Sequence, residues 1–166
     1  MSRPTPPPDG GEERLLFSLL IEIGIINQLA STEFARALPR GLTLAQFAVL
    51  NHCVRTTDGK TPGDLARILQ VTRGTMTSTI GRLEAKGFVR LAPDETDGRS
   101  KRLFLTAKGR AARDASIAAA VPLLRRLGGE FPPAAAQRLL PSLARLRAVL
   151  DRRRGGGAAD REQQSR

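Results

Sequence analysis

The sequence is poor in the residues on which most catalytic and metal sites depend. Its 166 residues include one cysteine, one histidine, two methionines, no tryptophan and no tyrosine. A single cysteine excludes an internal disulfide framework, and one cysteine with one histidine is too few for a zinc site within one chain. No nucleophile–base pair, phosphate-binding loop or metal-ligand set is visible. We therefore expect a protein that is not an enzyme and uses neither a cofactor nor a metal.

Two further absences narrow the partners and the compartment. Phenylalanine, which occurs six times, mostly falls on apolar positions of the pattern, whereas proteins that bind single-stranded DNA or RNA usually stack bases on aromatic rings. This disfavours a single-strand or RNA binder. The segment Met1–Pro8 has no positively charged stretch leading into an apolar core, so no secretory signal is recognised and the cytoplasm is the expected compartment.

Positive charge is in excess, and it is unevenly placed. The chain has 27 Lys and Arg against 16 Asp and Glu, a net charge of +11. Residues 1–54 carry four basic and five acidic side chains, residues 55–110 carry twelve and six, and residues 111–166 carry eleven and five. A strongly basic soluble chain suggests a polyanionic partner. We expect the partner surface after residue 54, with ordinary solvated charges as the alternative.

An apolar segment near the start predicts a helix from Glu13 to about Ala37. Its apolar residues fall on more than one face, and such a helix must be covered on most sides. The most apolar part, Leu15–Leu29, is only 15 residues long and contains Glu22, Asn27 and Gln28. This stretch is too short and too polar for a membrane span. A subunit interface is the better interpretation, and no membrane partner is expected.

Capping residues predict three helices in the middle of the chain. Thr43-Leu-Ala-Gln46 is a capping box, in which hydroxyl and amide side chains bond to backbone groups of the first turn. Thr61-Pro62 opens a shorter helix, because threonine is a good N-cap and proline suits the first helical position. Thr72 opens a helix to about Lys86, and Gly87 ends it.

The second half of the chain predicts a hairpin and two more helices. Segments 88–91 and 102–105 read as strands around the charged stretch 93–101. Thr106 caps a fifth helix, and a last helix runs from about Pro133 to Arg153. Pro122, Gly128-Gly129 and Pro141 are expected to interrupt, kink or locally break these helices. Residues 1–12 and 154–166 are predicted to be a disordered arm and a disordered tail.

A capped helix, a short turn, a second helix and a basic hairpin together predict a winged helix-turn-helix, in a mainly α fold with a small β-hairpin wing. In the helix after Thr72, Met76, Ile80 and Leu83 form the buried stripe. The opposite face is small and polar and has no acidic residue in its first three turns, so it suits the ~12 Å major groove of DNA. An ordinary solvent-exposed helix is the alternative. The predicted DNA-contacting residues of this helix are Thr72, Arg73, Gly74, Thr75, Thr77, Ser78 and Arg82.

The charged hairpin tip predicts contacts beside the major groove. Arg99 suits insertion into a minor groove, where arginine senses groove width. Asp97 is positioned to orient the Arg99 guanidinium by a fork-shaped ion pair. Lys101 and Arg102 are predicted to contact the DNA backbone. For each of these residues, a solvated charge is the alternative.

From Leu42 to Gly109 the sequence resembles the MarR (multiple antibiotic resistance regulator) family of winged-helix transcription regulators. An Asp-x-Arg wing, Asp97-Gly-Arg99, followed by Leu105-Thr-x-x-Gly109 is the most specific part. The other matching segments are Leu42–Phe47, Leu65-Ala66, Val71–Thr77, Arg82–Glu84, Lys86–Val89 and Asp94–Lys101. The resemblance implies a homodimer built by the first and last helices, the fourth helix in the major groove and Arg99 in the minor groove. It also suggests a small-molecule pocket between the dimer arm and the DNA-binding lobe.

These observations predict a sequence-specific double-stranded DNA-binding regulator, a repressor, acting as a homodimer on a pseudo-palindromic site under control of a small molecule. The dimerisation helices are placed at 13–40 and 107–153 and the DNA-binding lobe at 41–106. The main alternative is a non-specific or architectural DNA-binding protein, and a winged helix used for protein contacts is another. Some relatives sense oxidants through a first-helix cysteine, which is absent here. We expect Cys53 to be inert and His52 to be structural.

Overall fold

The fold is mainly helical with one small hairpin, as predicted. The computed structural model describes residues 10–56, 59–94 and 100–163. Within them, four helices precede a two-stranded hairpin and two helices follow it. The elements are α1 (Gly11–Ala37), α2 (Leu44–Arg55), α3 (Pro62–Ile68), α4 (Arg73–Ala85), β1 (Val89–Pro93), β2 (Lys101–Leu105), α5 (Ala107–Glu130) and α6 (Pro133–Gln163).

One apolar core joins the three central helices to the hairpin. Met76, Ile80 and Leu83 of α4 are 2%, 2% and 0% exposed, which confirms the predicted stripe. Because these residues recur every three or four positions, they set which face of α4 points inward. The other buried members of this core are Val49, Leu50, Cys53, Leu65, Ala66, Val89 and Leu103.

The predicted caps are present with the expected bonds. The Thr43 hydroxyl accepts from the Gln46 amide at 3.2 Å, and the Gln46 side chain accepts from the Thr43 amide at 3.3 Å, which completes the capping box. The Thr61 and Thr72 hydroxyls likewise cap α3 and α4. Between these two helices Gln70 has a φ of 56°, so the chain turns sharply there.

Strand β1 begins one residue later than predicted, and strand β2 begins one residue earlier. They are antiparallel, with Val89 opposite Leu105 and Ala92 opposite Arg102. Phe88, predicted to begin the first strand, instead donates its amide to the Leu83 carbonyl at 2.9 Å and belongs to the turn that ends α4. The outer edge of β2 also forms a bridge between Leu103 and Lys60.

The breaks predicted at Pro122, Gly128-Gly129 and Pro141 are wrong, while the kink predicted as the alternative at Pro141 stays a prediction. Helix α5 continues through Pro122 and the following glycines, and α6 continues through Pro141. A proline removes one backbone donor, but the flanking Ala, Leu and Arg are strong helix formers that sustain the rest of each helix.

Parts of the two segments predicted to be disordered belong to helices. Helix α1 begins at Gly11, inside the arm predicted at 1–12. Helix α6 extends to Gln163, well into the predicted tail at 154–166. After its three glycines this segment contains Ala, Arg, Glu and Gln and no proline, which is a composition compatible with a helix.

Exposed apolar side chains are concentrated on α1, on the end of α5 and on α6, which we call the outer helices. The chain divides into a compact unit from Met1 to Leu123 and a second from Leu124 to Arg166. In the first unit, α1 has no buried residue, and its exposed large side chains include Leu15, Leu16, Phe17, Leu19, Leu20, Ile21, Ile25, Ile26 and Leu29. In the second unit, they include Leu124, Leu127, Phe131, Leu139, Leu140, Leu143, Val149 and Leu150.

Helix α1 is longer than the apolar run on which the rejection of a membrane span rests. It has 27 residues and is long and apolar enough to cross a membrane, by length and composition alone. The objection based on length is therefore wrong. Glu22, Asn27 and Gln28 would still be costly in a bilayer core, and a subunit interface for α1 stays a prediction.

Gly109, at the start of α5, is required for the close approach of α5 to the hairpin. A Cβ there would lie 2.0 Å from the Phe88 carbonyl oxygen, a backbone atom that cannot rotate away. We predict that Gly109→Ala lowers the free energy of unfolding by about 1–3 kcal/mol, as overpacking does. A Cβ at Gly81 meets nothing within 4 Å, so the matched control Gly81→Ala should stabilise by about 0.5–1 kcal/mol. Urea denaturation at one protein concentration measures both, and equal stabilities would contradict this account.

Candidate nucleic-acid interface

The outward face of α4 is open and uncharged at its centre. All seven residues predicted to contact DNA are exposed, from Thr72 to Arg82. A Cβ at Gly81 would meet nothing within 4 Å, and one at Gly74 would meet only the Thr72 hydroxyl at 4.0 Å. With Ser78 between these glycines, the face is flat enough for close approach of another surface. The free N–H groups of the first helical turn add positive potential.

The hydroxyls of α4 are not equally available to a ligand. The Thr72 hydroxyl accepts from the Thr75 amide at 3.1 Å and lies 2.8 Å from the Thr75 hydroxyl, so both side chains serve the N-cap. The Thr77 hydroxyl donates to the Arg73 carbonyl at 2.9 Å, which leaves its oxygen as an acceptor. Ser78 makes no side-chain hydrogen bond to another part of the described structure.

The charged side chains of α4 leave its outward face basic. Arg73 and Arg82 are exposed and make no ion pair with any residue of the described ranges. The acidic residue of the helix, Glu84, accepts a hydrogen bond from the Leu91 amide at 3.2 Å and is therefore directed to the hairpin. The unopposed charge beside Ser78 thus comes from arginine.

The hairpin separates two residues that the sequence pattern had grouped together. Lys101 is exposed and, among the described residues, forms no ion pair. Arg102 instead donates from Nε to the Asp94 carboxylate at 2.8 Å and from Nη1 to the Gly59 carbonyl at 2.9 Å. Asp97 and Arg99, the predicted ion pair of the tip, lie outside the described residues.

Sequence reasoning did not identify Asp94 as the partner of Arg102, because the sequence pattern shows Asp94 only as one of the charges of the hairpin tip. Asp94 is 7% exposed, and its carboxylate also accepts from the Ser100 hydroxyl at 3.2 Å. The signal becomes visible only once the register is known, because Asp94 follows β1 diagonally across from Arg102. A second residue missed is Arg67 of α3, which bonds to Asp64 at 3.0 Å and lowers the pKa of that carboxyl.

Several surface recesses surround the helix-turn-helix. One of about 420 Å³ lies between α3 and the start of α4 and includes Arg67 and Arg73. Another of about 190 Å³ is mostly apolar and is lined by Arg40, Lys86 and Phe88, among others. A third, of about 390 Å³, lies beside α2. In the described ranges, no three His, Cys, Asp or Glu side chains are grouped to hold a metal.

The two residues considered for sensing differ in their surroundings. Cys53 is 7% exposed and belongs to the core. His52 lines the recess beside α2, and its Nε2 atom has no hydrogen-bond partner among the described residues. Burial, followed by the positive charges of Lys60 and Arg55, lowers the pKa of His52 and favours its neutral form.

Comparison with known sequences finds one family and two characterised relatives. The family model described as MarR family matches residues 40–100. Over 86 residues the chain is 43% identical to the transcriptional activatory protein BadR of Rhodopseudomonas palustris; the match covers 51% of this chain and only about half, 49%, of BadR. Over 101 residues it is 33% identical to the multiple antibiotic resistance protein MarR of Escherichia coli, covering 58% of this chain and 69% of that protein.

Solved structures agree with these sequence matches. The crystal structure of wild-type E. coli MarR in its apo form superimposes with a TM-score of 0.69 at 28% identity, covering 75% of this chain and 95% of that one. A second MarR crystal structure has a TM-score of 0.72 at 26% identity and covers 93% of this chain and 97% of its own. The 33% identity to E. coli MarR over 69% of that protein, together with the family-model match at residues 40–100, shows that the chain belongs to the MarR family of transcription regulators.

Proposed function

We propose that the protein is a sequence-specific, double-stranded DNA-binding repressor that acts as a homodimer. The observation that carries this proposal is the outward face of α4, where Ser78 and Arg82 are exposed and unengaged within the described structure beside a glycine with open space around it. Arginine donates two parallel hydrogen bonds to guanine, and a serine hydroxyl serves as donor or acceptor to any base. A non-specific basic surface would not require this small, flat face.

In this proposal α4 enters the major groove, and the helix-turn-helix residues divide the work between bases and phosphates. Ser78 and Arg82 read base edges, and Thr77 offers an acceptor oxygen. Arg73 at the helix start contacts phosphate, together with the N–H groups of the first turn. Thr72 and Thr75, both bonded within the cap, hold the helix start in place.

The wing flanks this groove. We place Arg99 in the adjacent minor groove, oriented by Asp97, with Lys101 on the phosphate backbone. The exposure of Lys101 supports its assignment. A lysine that forms no ion pair within the described residues gives up no existing interaction when it binds a phosphate. Arg102 is not assigned to a phosphate, since its guanidinium is bonded to Asp94 and Gly59.

A second copy of the chain is the occupant that we propose for the exposed outer helices. The apolar faces of α1 and α6 are too extensive to remain in water. Residues 10–40 carry four acidic and three basic side chains, whereas residues 124–166 carry four and ten. Opposite charge therefore accompanies the apolar faces, as expected of helices that meet across a dimer. Residues 13–40 and 107–153 form the dimer arm in this proposal, and residues 41–106 the DNA-binding lobe.

We also propose that a small molecule regulates DNA binding from the apolar recess of about 190 Å³. Lys86, at the end of α4, lines this recess and donates to the Gly41 carbonyl and to Gln46 Oε1. A ligand there would compete for the Lys86 ammonium, and so would loosen the end of α4 from the loop before α2.

We propose repression because a protein represses a promoter simply by occupying it. Activation, for which BadR is named, requires a further contact with the transcription machinery. The cytoplasm is the compartment in which such a protein would meet DNA.

The dimer is tested by sedimentation. We predict that the chain at micromolar concentration sediments at about twice its 17.9 kDa mass, because pairing covers the apolar α1. Ile25→Glu with Leu29→Glu should shift the population toward monomer. The control Val71→Glu places one such charge on an exposed apolar residue outside the arm and should leave the dimer intact. A stable wild-type monomer, or a chain that floats with lipid vesicles in preference to forming dimers, would contradict this assignment.

The contacts of helix and wing are tested by DNA affinity at two salt concentrations. We predict that Arg82→Ala weakens binding to the cognate duplex by about 1–3 kcal/mol for each base pair that it reads, and binding to random DNA much less. The matched variant Arg82→Lys keeps the charge but removes the two-pronged donor, so it should also abolish discrimination. Lys101→Ala should weaken binding to all duplexes alike and reduce the salt slope by roughly one for each phosphate that is no longer neutralised. Arg99→Ala should reduce affinity most where the flank is A·T-rich.

These variants also distinguish the architectural alternative. If Arg82→Ala, Lys101→Ala and Arg99→Ala all reduce affinity by the same factor on cognate, flank-swapped and random duplexes, the protein supplies charge alone. Sequence-specific recognition would then be wrong, and an architectural DNA-binding protein would be the better assignment.

A further inference from the structure

Arg102 connects three segments of the chain at the base of the hairpin. It lies on β2 opposite Ala92, and its Nε–H donates to the Asp94 carboxylate, which follows β1, at 2.8 Å. Its Nη1 donates at 2.9 Å to the carbonyl of Gly59, in the segment that leads into α3. We call Arg102, Asp94 and Gly59 the wing clamp.

Backbone bonds reinforce the wing clamp on both sides. The Gly59 amide donates to the Leu103 carbonyl at 2.9 Å, and the Leu103 amide donates to the Lys60 carbonyl at 3.0 Å. Gly59 has a φ of 87°, a conformation that favours glycine, and a Cβ there would lie 3.7 Å from side-chain atoms of Arg102 and Phe104. The clamp therefore fixes the hairpin to the entry of the helix-turn-helix, and not only strand to strand.

The two ends of the hairpin tip both meet this clamp. The Asp94 amide donates to the Ser100 carbonyl at 3.0 Å, and the Ser100 hydroxyl donates to the Asp94 carboxylate at 3.2 Å. The chain between these residues, which includes Arg99, thus departs from Asp94 and returns at Ser100. A change in the direction of the Asp94 side chain would therefore disturb its bond to Ser100, at the other end of the tip.

The side chains of Lys101 and Arg102 lie on opposite faces of β2. Successive side chains of a strand point to opposite faces, and these two neighbours follow that rule: Lys101 is exposed, while Arg102 bonds back to Asp94 and Gly59. A carboxylate as buried as Asp94, with 7% exposure, also needs a paired cation. Removing Arg102 would take the Nε–H donor away from this buried carboxylate at the base of the hairpin.

We propose that Arg102 is a positioning residue that sets the direction of the wing, and with it the preference for the sequence flanking each half-site, through its bonds to Asp94 and Gly59. Arg102 acts through the wing tip and is not a phosphate ligand in its own right. This inference rests on the proposed DNA-binding function. It predicts that geometry at position 102 matters more than charge, because only a guanidinium spans both acceptors with separate donors.

The test compares Arg102→Lys, Arg102→Ala and the control Lys101→Ala on cognate, flank-swapped and random duplexes at two salt concentrations. We expect Arg102→Lys to reduce flank discrimination by about tenfold, nearly as much as Arg102→Ala, with the salt slope unchanged for the lysine variant. Lys101→Ala should show the reverse, a shallower slope with flank discrimination kept. In an Arg99→Ala background, Arg102→Lys should cause no further reduction of flank discrimination, because both act through the same tip.

A measurement without DNA keeps the test valid if Arg102→Ala does not fold. Arg102→Lys, which should fold, is expected to speed amide hydrogen exchange at Gly59 and Leu103 while α4 stays protected. The proposal would be overturned if Arg102→Lys kept the flank discrimination of the wild type while Arg102→Ala showed a shallower salt slope. Arg102 would then be a phosphate ligand. Unchanged exchange at Gly59 and Leu103 would overturn it as well. If the wild type itself fails to discriminate any duplex, the proposed function fails first, and this inference with it.

Discussion

The burial of three side chains of α4 is the constraint on which the rest of the molecule depends. Met76, Ile80 and Leu83 lie in the core with almost no exposure, and together they hold the helix at one rotation about its axis. The same rotation brings Gly74, Ser78 and Gly81 to the surface, because the residues opposite a buried stripe point away from the core. Core packing and the geometry of the proposed DNA-binding surface are therefore one property of this helix.

The hairpin is tied to that helix through polar groups rather than apolar packing alone. Glu84 of α4 accepts from the backbone of Leu91 in β1, and the wing clamp fixes β2 to the segment that precedes α3. Bonds of this kind define direction, because hydrogen bonds weaken steeply when their angle changes. In the proposed complex, such bonds would keep a constant spacing between α4 and the hairpin.

Local signals allowed much of this fold to be predicted from the sequence. Thr43, Thr61 and Thr72 cap their helices as expected, because capping depends on a few neighbouring atoms. The continuity of α5 and α6 through proline was not predictable in this way, since it depends on the balance between one missing bond and many retained ones. The partner of Arg102 was missed for a different reason: it depends on strand register and on Gly59, which is distant in sequence.

Footprinting on the DNA upstream of the protein's own gene tests the central claim most directly. A dimer that places one α4 in each of two successive major grooves should protect two symmetric segments whose centres lie about one helical turn, ~10 bp, apart. Added protection or hydroxyl-radical shielding should extend into the flanking minor grooves. Protection spread evenly along the duplex, with no boundaries and the same strength on unrelated DNA, would contradict sequence-specific recognition by this helix and wing.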